Sequence, residues 1–210
     1  RWFVEGFAEF NSTAKVERGA PSGVLGASTP DAVAKADDLH QLCLANQLWC
    51  KTGGKEGEPA RLDGEDLRPL GDRLKGLRLT AMSASGACLV GLDLSGAQLQ
   101  GANLQNADLR TANLRGADLR GARLTGANLT KADLRQAFLS PLPLGPTRQT
   151  QSNLQGARVR YALVQAADLS EAVFDGADLR GSDFTGARVA KASFRQVDLS
   201  QVQGLDFSLP

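Results

Sequence analysis

Aspartates recur at a regular interval along the second half of the chain, and carboxylates placed in this way are the first candidates for chemistry. They are Asp108, Asp118, Asp133, Asp168, Asp178, Asp183 and Asp198. Two neighbouring carboxylates can divide the roles of general acid and general base. Here every interval is a multiple of five residues, and the residue types around each aspartate recur with it. The repeat therefore accounts for the spacing, and we predict no catalytic or metal-binding residues.

Two further features could carry chemistry, and neither is complete. His40 is the chain's one histidine, so it has no second histidine to work with, and no nucleophile is evident beside it. The sequence TGGKEG at residues 52–57 resembles a phosphate-binding loop, but Glu56 follows Lys55 where Ser or Thr is required. We therefore predict a protein without enzymatic activity and without a bound cofactor.

Composition and charge exclude other classes of function. The 24 basic and 23 acidic residues of the chain sum to +1, which provides no field for steering nucleic acid or an anionic membrane. Cys43, Cys50 and Cys88 lack the spacing of a disulfide framework or a metal cluster, so we expect reduced thiols. No apolar run approaches the ~18 residues of a membrane span. We expect a soluble protein of the cytoplasm or an organelle interior, and Arg1 in place of Met leaves room for a removed targeting segment.

The repeat is clearest in residues 101–137, where Ala, then Asp, Asn or Arg, then Leu, then two variable residues recur. The central leucines are Leu99, Leu104, Leu109, Leu114, Leu119, Leu124, Leu129, Leu134 and Leu139. An α-helix turns about 100° per residue, so a five-residue step would scatter these leucines around it. A straight strand would alternate them between two faces because five is odd. The chain must therefore turn once in each unit, with its corner at the two variable residues, where glycine is frequent.

This unit, A(D/N)LXX, resembles the motif of the pentapeptide repeat family over roughly residues 60–209. The resemblance implies an all-β solenoid, a right-handed quadrilateral β-helix with four units per coil. Positions twenty apart then stack, so Phe174 should lie over Phe194. The units break at residues 140–151, SPLPLGPTRQTQ, whose prolines cannot donate to a ladder. We expect a protruding loop there, within one continuous solenoid.

Three segments are predicted: an aromatic arm and linker at 1–28, a helical cap at 29–59 and the pentapeptide repeat β-helix at 60–210. The second segment has Pro30 at the first helical position, which suits a helix start. The end of a solenoid is an open sheet edge with exposed apolar residues, so we expect an N-terminal α-helical cap. The predicted packing face of this helix is Leu39, Leu42, Cys43, Asn46, Trp49 and Cys50.

Apolar residues and one arginine that the repeat does not explain are the predicted partner-binding residues. They are Trp2, Phe3, Phe7 and Phe10 in the arm, Leu142, Leu144 and Arg148 in the loop, and Phe207 near the end. The arm packs on its own solenoid, docks into a partner or ends an upstream domain, and the sequence leaves these three open. Val197, Val202 and Phe207 replace the small alanine of the repeat, so the last coil must open or be covered. An end-to-end homodimer, a partner subunit or truncation would each resolve this edge.

The leading functional hypothesis is a non-enzymatic protein–protein interaction or scaffold module, a structural or accessory subunit of a larger assembly. Its partners are predicted to be proteins, with no specific nucleic acid and no membrane span. The family resemblance implies an alternative, a DNA-mimicking topoisomerase (gyrase)-binding protein of the Qnr type. The loop fits that alternative but the charge does not, because residues 60–210 carry 18 basic and 15 acidic side chains, a sum of +3. A third hypothesis is the targeting or assembly module of an enzyme whose catalytic domain lies upstream.

Outward arginines are a remaining candidate for ligand binding. With four units per coil, Arg115 stacks on Arg135, and Arg160 stacks on Arg180. A phosphate or an acidic partner could lie along such a ladder. The other interpretation, which we favour, is a solubilising surface in which the arginines alternate with Asp and Asn.

Overall fold

The computed structural model describes residues 30–206. From Arg78 onward the chain winds in coils of twenty residues, apart from one enlarged coil, because parallel bridges join Arg78 to Gln98 and Gln98 to Asp118. Four five-residue units therefore complete one coil, which makes the solenoid quadrilateral. Each bridge involves one residue from each coil, so in the described coils the sheets are rows of single bridges and not long strands.

Leucine and alanine fill the interior of the solenoid, as the repeat predicts. Leu99, Leu104, Leu109 and Leu114, the four central residues of one coil, are fully buried. Backbone bonds hold the coils together: the N–H of Leu99 donates to the carbonyl of Asp118 at 2.7 Å. The predicted stacking at twenty-residue intervals is confirmed for two aromatic residues. The rings of Phe174 and Phe194 are 5.2 Å apart and within 8° of parallel.

Two local features recur at the corners. The second residue after the central one adopts a left-handed conformation, with φ of 67° at Gly121 and 53° at Tyr161. Glycine takes this conformation without strain, whereas other residues do so at a cost. The residue before the central one, which we call the outward slot, is commonly Asp or Asn. Its side chain accepts the N–H two residues later, as Asn113 Oδ1 does from Arg115 at 3.1 Å.

A helix, α1, spans Pro30–Thr52 and lies against the first coils. Its buried face includes Leu39, Cys43 and Asn46, in agreement with the predicted face, but Leu42 is 40% exposed and lies outside it. Asn46 joins the helix to the solenoid. Its Oδ1 accepts the N–H of Ala60 at 3.0 Å, and its Nδ2 donates to the carbonyl of Thr80 at 3.1 Å.

The first turns after the helix are irregular. A 3₁₀ turn at Arg68–Leu70 adds residues to the coil. The bridge from Arg61 to Ser83 consequently spans 22 residues in place of twenty. Leu70 is buried in the same core as the leucines that follow, so the added residues do not interrupt it.

A hairpin interrupts the coils once in the described part of the chain. Its strands are β1 (Leu142–Pro143) and β2 (Gln149–Thr150), paired antiparallel. The hairpin adds ten residues to one coil, because Arg123 pairs with Asn153, thirty residues later. The bridges continue at the twenty-residue interval beyond it, from Asn153 to Val173. We call residues 137–166, which form this enlarged turn, the loop-bearing coil.

Candidate interaction surface

The groups considered for catalysis are not assembled into a site. His40 is half-buried on α1, and no grouping of His, Cys, Asp and Glu within residues 30–206 could hold a metal ion. Burial raises the pKa of the Cys43 thiol to about 12, so this cysteine is an inert packing residue. Nothing in the described structure indicates enzymatic activity.

The well-exposed large apolar side chains of the described solenoid belong to one coil. They are Phe138 (46%), Leu144 (52%), Tyr161 (61%) and Leu163 (38%). All four belong to the loop-bearing coil. Elsewhere in residues 30–206, the corresponding exposed residues are Val33, Leu42 and Leu48 of α1. The four residues of the loop-bearing coil are distributed around it: Tyr161 lies at the corner shared with Lys131 and Gly181, whereas the hairpin with Leu144 lies at the Gly121 corner, half a coil away. Exposed apolar residues concentrated in one coil make that coil a candidate for protein interaction.

Phe138 and Leu163 stand in the outward slot, where the residues of adjacent coils are aspartates. Phe138 is bridged to Asp118 on one side and Asp168 on the other. Leu163 is likewise bridged to Asp133 and Asp183. An apolar side chain in this slot loses the corner hydrogen bond that Asp or Asn makes, and it gains no burial in the core. The repeat therefore gives no reason for these two apolar residues.

The predicted loop residues occupy different environments. Leu142 is half-buried at the base of the hairpin, and with Thr150 it covers the backbone of Gly121. Leu144 and Arg148 are exposed at the tip, where the Leu144 N–H donates to the Arg148 carbonyl at 2.8 Å. Trp2, Phe3, Phe7, Phe10 and Phe207 lie outside the described residues.

Sequence reasoning missed Phe138, Tyr161 and Leu163. A signal for all three was present in the repeat. Phe138 and Leu163 replace the Asp or Asn of the motif, and Tyr161 replaces glycine at a corner with positive φ. The missed residues and the predicted loop residues belong to the same coil.

A junction residue secures the hairpin to the coil. Ser152 takes the inward position usually held by alanine and is fully buried. In regular coils the corner N–H donates to a carbonyl of the next coil, as Gly101 does to Arg120 at 3.0 Å. At Gly121 the hairpin displaces the next coil, and its N–H donates to Ser152 Oγ at 3.0 Å instead. The Ser152 hydroxyl thus replaces a backbone acceptor that the hairpin removes.

Most of the predicted arginine ladder is neutralised. Arg135 Nη2 lies 2.6 Å from Asp133 Oδ2, and this hydrogen-bonded ion pair holds the pKa of Asp133 below its ordinary value of 3.8. Arg160 and Arg180 both bind Asp178. These contacts support a solubilising role for the paired arginines.

Charge in the loop-bearing coil differs from charge in the rest of the repeat. Residues 134–167 contain four arginines, Arg135, Arg148, Arg158 and Arg160, and no Asp or Glu. All 15 acidic side chains of residues 60–210 therefore lie before or after this stretch. The coil that exposes apolar side chains is also the coil without carboxylates.

Stacked five-residue units around a leucine and alanine interior define the chain as a solenoid repeat protein. The family model described as "Pentapeptide repeats" matches residues 78–116, 112–140 and 165–201, in eight copies. The chain belongs to the pentapeptide repeat family. The right-handed winding predicted for the coils is what membership of this family implies. Among curated proteins, none matches the chain.

Solved structures similar to the chain are other pentapeptide repeat proteins. QnrB1, a plasmid-mediated fluoroquinolone resistance protein, is 20% identical over 68% of this chain and 76% of its own, with a TM-score of 0.46. HetL of the cyanobacterium Nostoc sp. strain PCC 7120, involved in heterocyst differentiation regulation, is 28% identical over 72% of this chain and 67% of its own, with a TM-score of 0.26. The Nostoc protein alr5209 is 30% identical over 60% of this chain and 83% of its own, with a TM-score of 0.20. None of the helices in residues 30–206 has the length and apolar character needed to cross a bilayer.

Proposed function

We propose that the protein is a non-enzymatic interaction module that binds other proteins through the loop-bearing coil, as a structural or accessory subunit of a larger assembly. The observation that carries the proposal is the position of Phe138, Leu144, Tyr161 and Leu163, the well-exposed large apolar residues of the described solenoid, in this one coil. A rigid rod holds them in fixed relation to each other, so little conformational entropy is lost when a partner binds. Leu142, half-buried at the hairpin base, positions Leu144 and Arg148 in this proposal.

Helix α1 completes the module as its N-terminal cap. Three features support this role: the helix has a buried face, Asn46 makes two hydrogen bonds to the solenoid backbone, and Leu39 and Cys43 are buried in the same core as the solenoid leucines. Without a cover, the first coil would present unpaired backbone groups and apolar side chains to water.

The test uses substitutions that restore the family motif. Phe138→Asn and Leu163→Asn place a corner-bonding residue in the outward slot without adding charge beside the neighbouring aspartates, so both variants should fold at least as stably as the wild type. Proteins captured from the native source by the full chain and identified by mass spectrometry should be lost with these variants. Val173→Asn, the same kind of change one coil further on, is the matched control and should retain them. Equal capture by all four proteins would exclude the loop-bearing coil as the docking surface.

A duplex-mimicking function has less support. A mimic of DNA needs a continuous run of carboxylates, whereas residues 134–167 have none and residues 60–210 sum to +3. Protection of gyrase from a quinolone in a supercoiling assay would revive this alternative. An end-to-end homodimer stays a prediction. Val197, Leu199 and Val202 are only half-buried at the end of the described solenoid, so a second copy could cover them. The molar mass of the protein in solution distinguishes a dimer from a monomer.

A further inference from the structure

We infer that the partner presents an acidic, apolar protein segment, which docks at one corner of the loop-bearing coil. This inference rests on the proposed function and specifies the chemistry of the partner. The corner is formed by Lys131, Arg158, Arg160, Tyr161 and Leu163, which we call the basic corner.

Backbone bonds between adjacent coils bring these residues together. The N–H of Lys131 donates to the carbonyl of Arg160 at 2.8 Å, and the N–H of Tyr161 donates to the carbonyl of Arg180 at 3.0 Å. The Tyr161 ring lies over Gly181, where a Cβ would be 2.5 Å from Tyr161 Cδ1. Gly181 therefore leaves the space in which the exposed tyrosine rests beside the arginines.

Positive charge at the basic corner exceeds the carboxylates available to it. Asp178 is bound by Arg160 at 2.5 Å and by Arg180 at 2.7 Å, so its oxygens are occupied. Hydrogen bonds from Arg180 and then Arg160 lower the pKa of Asp178 well below its ordinary value, which keeps it ionised. Arg158, bridged between Asn128 and Asp178, has no ion pair within residues 30–206, and neither has Lys131.

Net charge at the corner is positive by one. The five cations that lie around it are Lys131, Arg135, Arg158, Arg160 and Arg180, and the four carboxylates are Asp133, Asp178, Asp183 and Asp198. Asp133 and Asp183 flank Leu163, and Asp133 is paired with Arg135. Arg158 also occupies the outward slot, where Asp or Asn would have bonded the corner. Its presence forgoes the corner hydrogen bond and adds a charge without an ion-pair partner, which fits a binding role because exposed Tyr161 and Leu163 lie beside it. Arg123, in the same slot on another face, lies away from Tyr161 and Leu163 and serves as the control.

The neighbouring side chains indicate a protein partner and not a nucleic acid. Leu163 and Tyr161 provide an apolar and aromatic surface that acidic protein segments with Leu or Phe can cover. Duplex binding depends on many phosphate contacts, each made by a basic side chain. Only two cations here, Arg158 and Lys131, have no carboxylate partner. The charge thus selects the partner and the apolar contact supplies most of the affinity.

The experiment measures binding of a fluorescein-labelled peptide rich in Glu with interspersed Leu and Phe, by anisotropy with the full chain. Comparison ligands are the same peptide with Lys for each Glu, and a short DNA duplex. We expect binding of the acidic peptide alone, weakened by added salt and about fivefold weaker with Arg158→Asn. Arg123→Asn, which removes an arginine from the same slot on another face, should bind like the wild type. Melting temperatures confirm that both variants fold.

Three results would overturn the inference: equal loss with Arg123→Asn and Arg158→Asn, no binding of the acidic peptide, or tighter binding of the duplex. The proposed function is tested separately, by capture of the natural partner with Leu163→Asn. If Leu163→Asn abolishes capture while Arg158→Asn and excess acidic peptide leave it unchanged, the module binds proteins but not through acidic segments. If Leu163→Asn leaves capture intact, the proposed function itself fails.

Discussion

Ser152 provides a sharp test of how the solenoid accommodates its hairpin. Alanine is the usual residue at this inward position, so Ser152→Ala brings the chain closer to its own repeat and, on the repeat alone, should be harmless. The structure predicts the opposite. The substitution removes the acceptor of the Gly121 N–H, which lies beneath Leu142 and Thr150 and is closed to water.

The expected magnitude follows from the bonds that Ser152 makes. Its hydroxyl also donates to the carbonyl of Leu119 at 3.0 Å, but that carbonyl keeps the N–H of Ala122 at 2.9 Å. One buried donor, the Gly121 N–H, is therefore left unsatisfied. Such a group costs about 1–3 kcal/mol, so we expect the free energy of unfolding to fall by about 2 kcal/mol.

The control is Ser182→Ala at the same inward position in a regular coil. The hydroxyl of Ser182 donates to the carbonyl of Leu179, which also receives the N–H of Ser182. Since no donor depends on this hydroxyl, its removal should cost less than about 1 kcal/mol. Chemical denaturation of both variants gives the two free energies, and hydrogen exchange should show faster exchange of the Gly121 amide in Ser152→Ala.

Deletion of the hairpin, alone and combined with Ser152→Ala, makes a double-mutant cycle. Deleting residues 141–150 leaves Ser140 and Gln151 as the corner and restores the five-residue step from Leu139 to Leu154. The Ser140 carbonyl can then accept the Gly121 N–H as in a regular coil. Ser152→Ala should be nearly neutral in the excised chain, giving a coupling of about 1–3 kcal/mol between the two changes. The reasoning is refuted if Ser152→Ala is neutral in the full chain, or equally costly in both.

Three other outcomes are expected. Asn46→Ala should lower the free energy of unfolding by about 2–3 kcal/mol in chemical denaturation, since it leaves the buried N–H of Ala60 and the half-buried carbonyl of Thr80 without their partner, whereas Gln47→Ala should cost under about 1 kcal/mol. Hydrogen bonds from Arg180 and Arg160 lower the pKa of Asp178 below its ordinary value of 3.8. The ionised carboxylate therefore stabilises the fold fully above about pH 4, and this contribution is lost as the pH falls through the lowered pKa. Melting curves against pH should therefore show a smaller loss below about pH 4 in Asp178→Asn than in the wild type. Leu124→Ala, in the core, should cost about 2–5 kcal/mol, and Leu144→Ala, at the exposed hairpin tip, should stay within about 0.5 kcal/mol, both by denaturation.

Much of the scaffold could be predicted from the sequence because each unit carries its own local instructions. A five-residue step is incompatible with a helix or a flat strand, whatever the partners of the residues are. The stack of Phe174 on Phe194 then follows from counting twenty residues. The hairpin was visible as a break in the pattern, because its prolines cannot continue a ladder.

The candidate surface was only half visible. Leu144 and Arg148 were predicted, and both are exposed, but Phe138, Tyr161 and Leu163 were not singled out. Their register in the repeat places them on the outside or at a corner, yet it does not give the fraction of each side chain that neighbouring coils cover. The exposed fraction depends on the coils above and below.

The sequence by itself determined the period, the leucine and alanine interior and the place of the hairpin, because these depend on residues within one unit. The tertiary structure alone decided that Arg160 pairs with Asp178 of the next coil, that Leu42 lies outside the packed face of α1, and that Ser152 replaces a lost backbone acceptor. Each of these depends on groups from another coil or from the helix, about twenty to thirty residues away along the chain. Contacts of that kind exist only once the coils are stacked, and no local pattern encodes them.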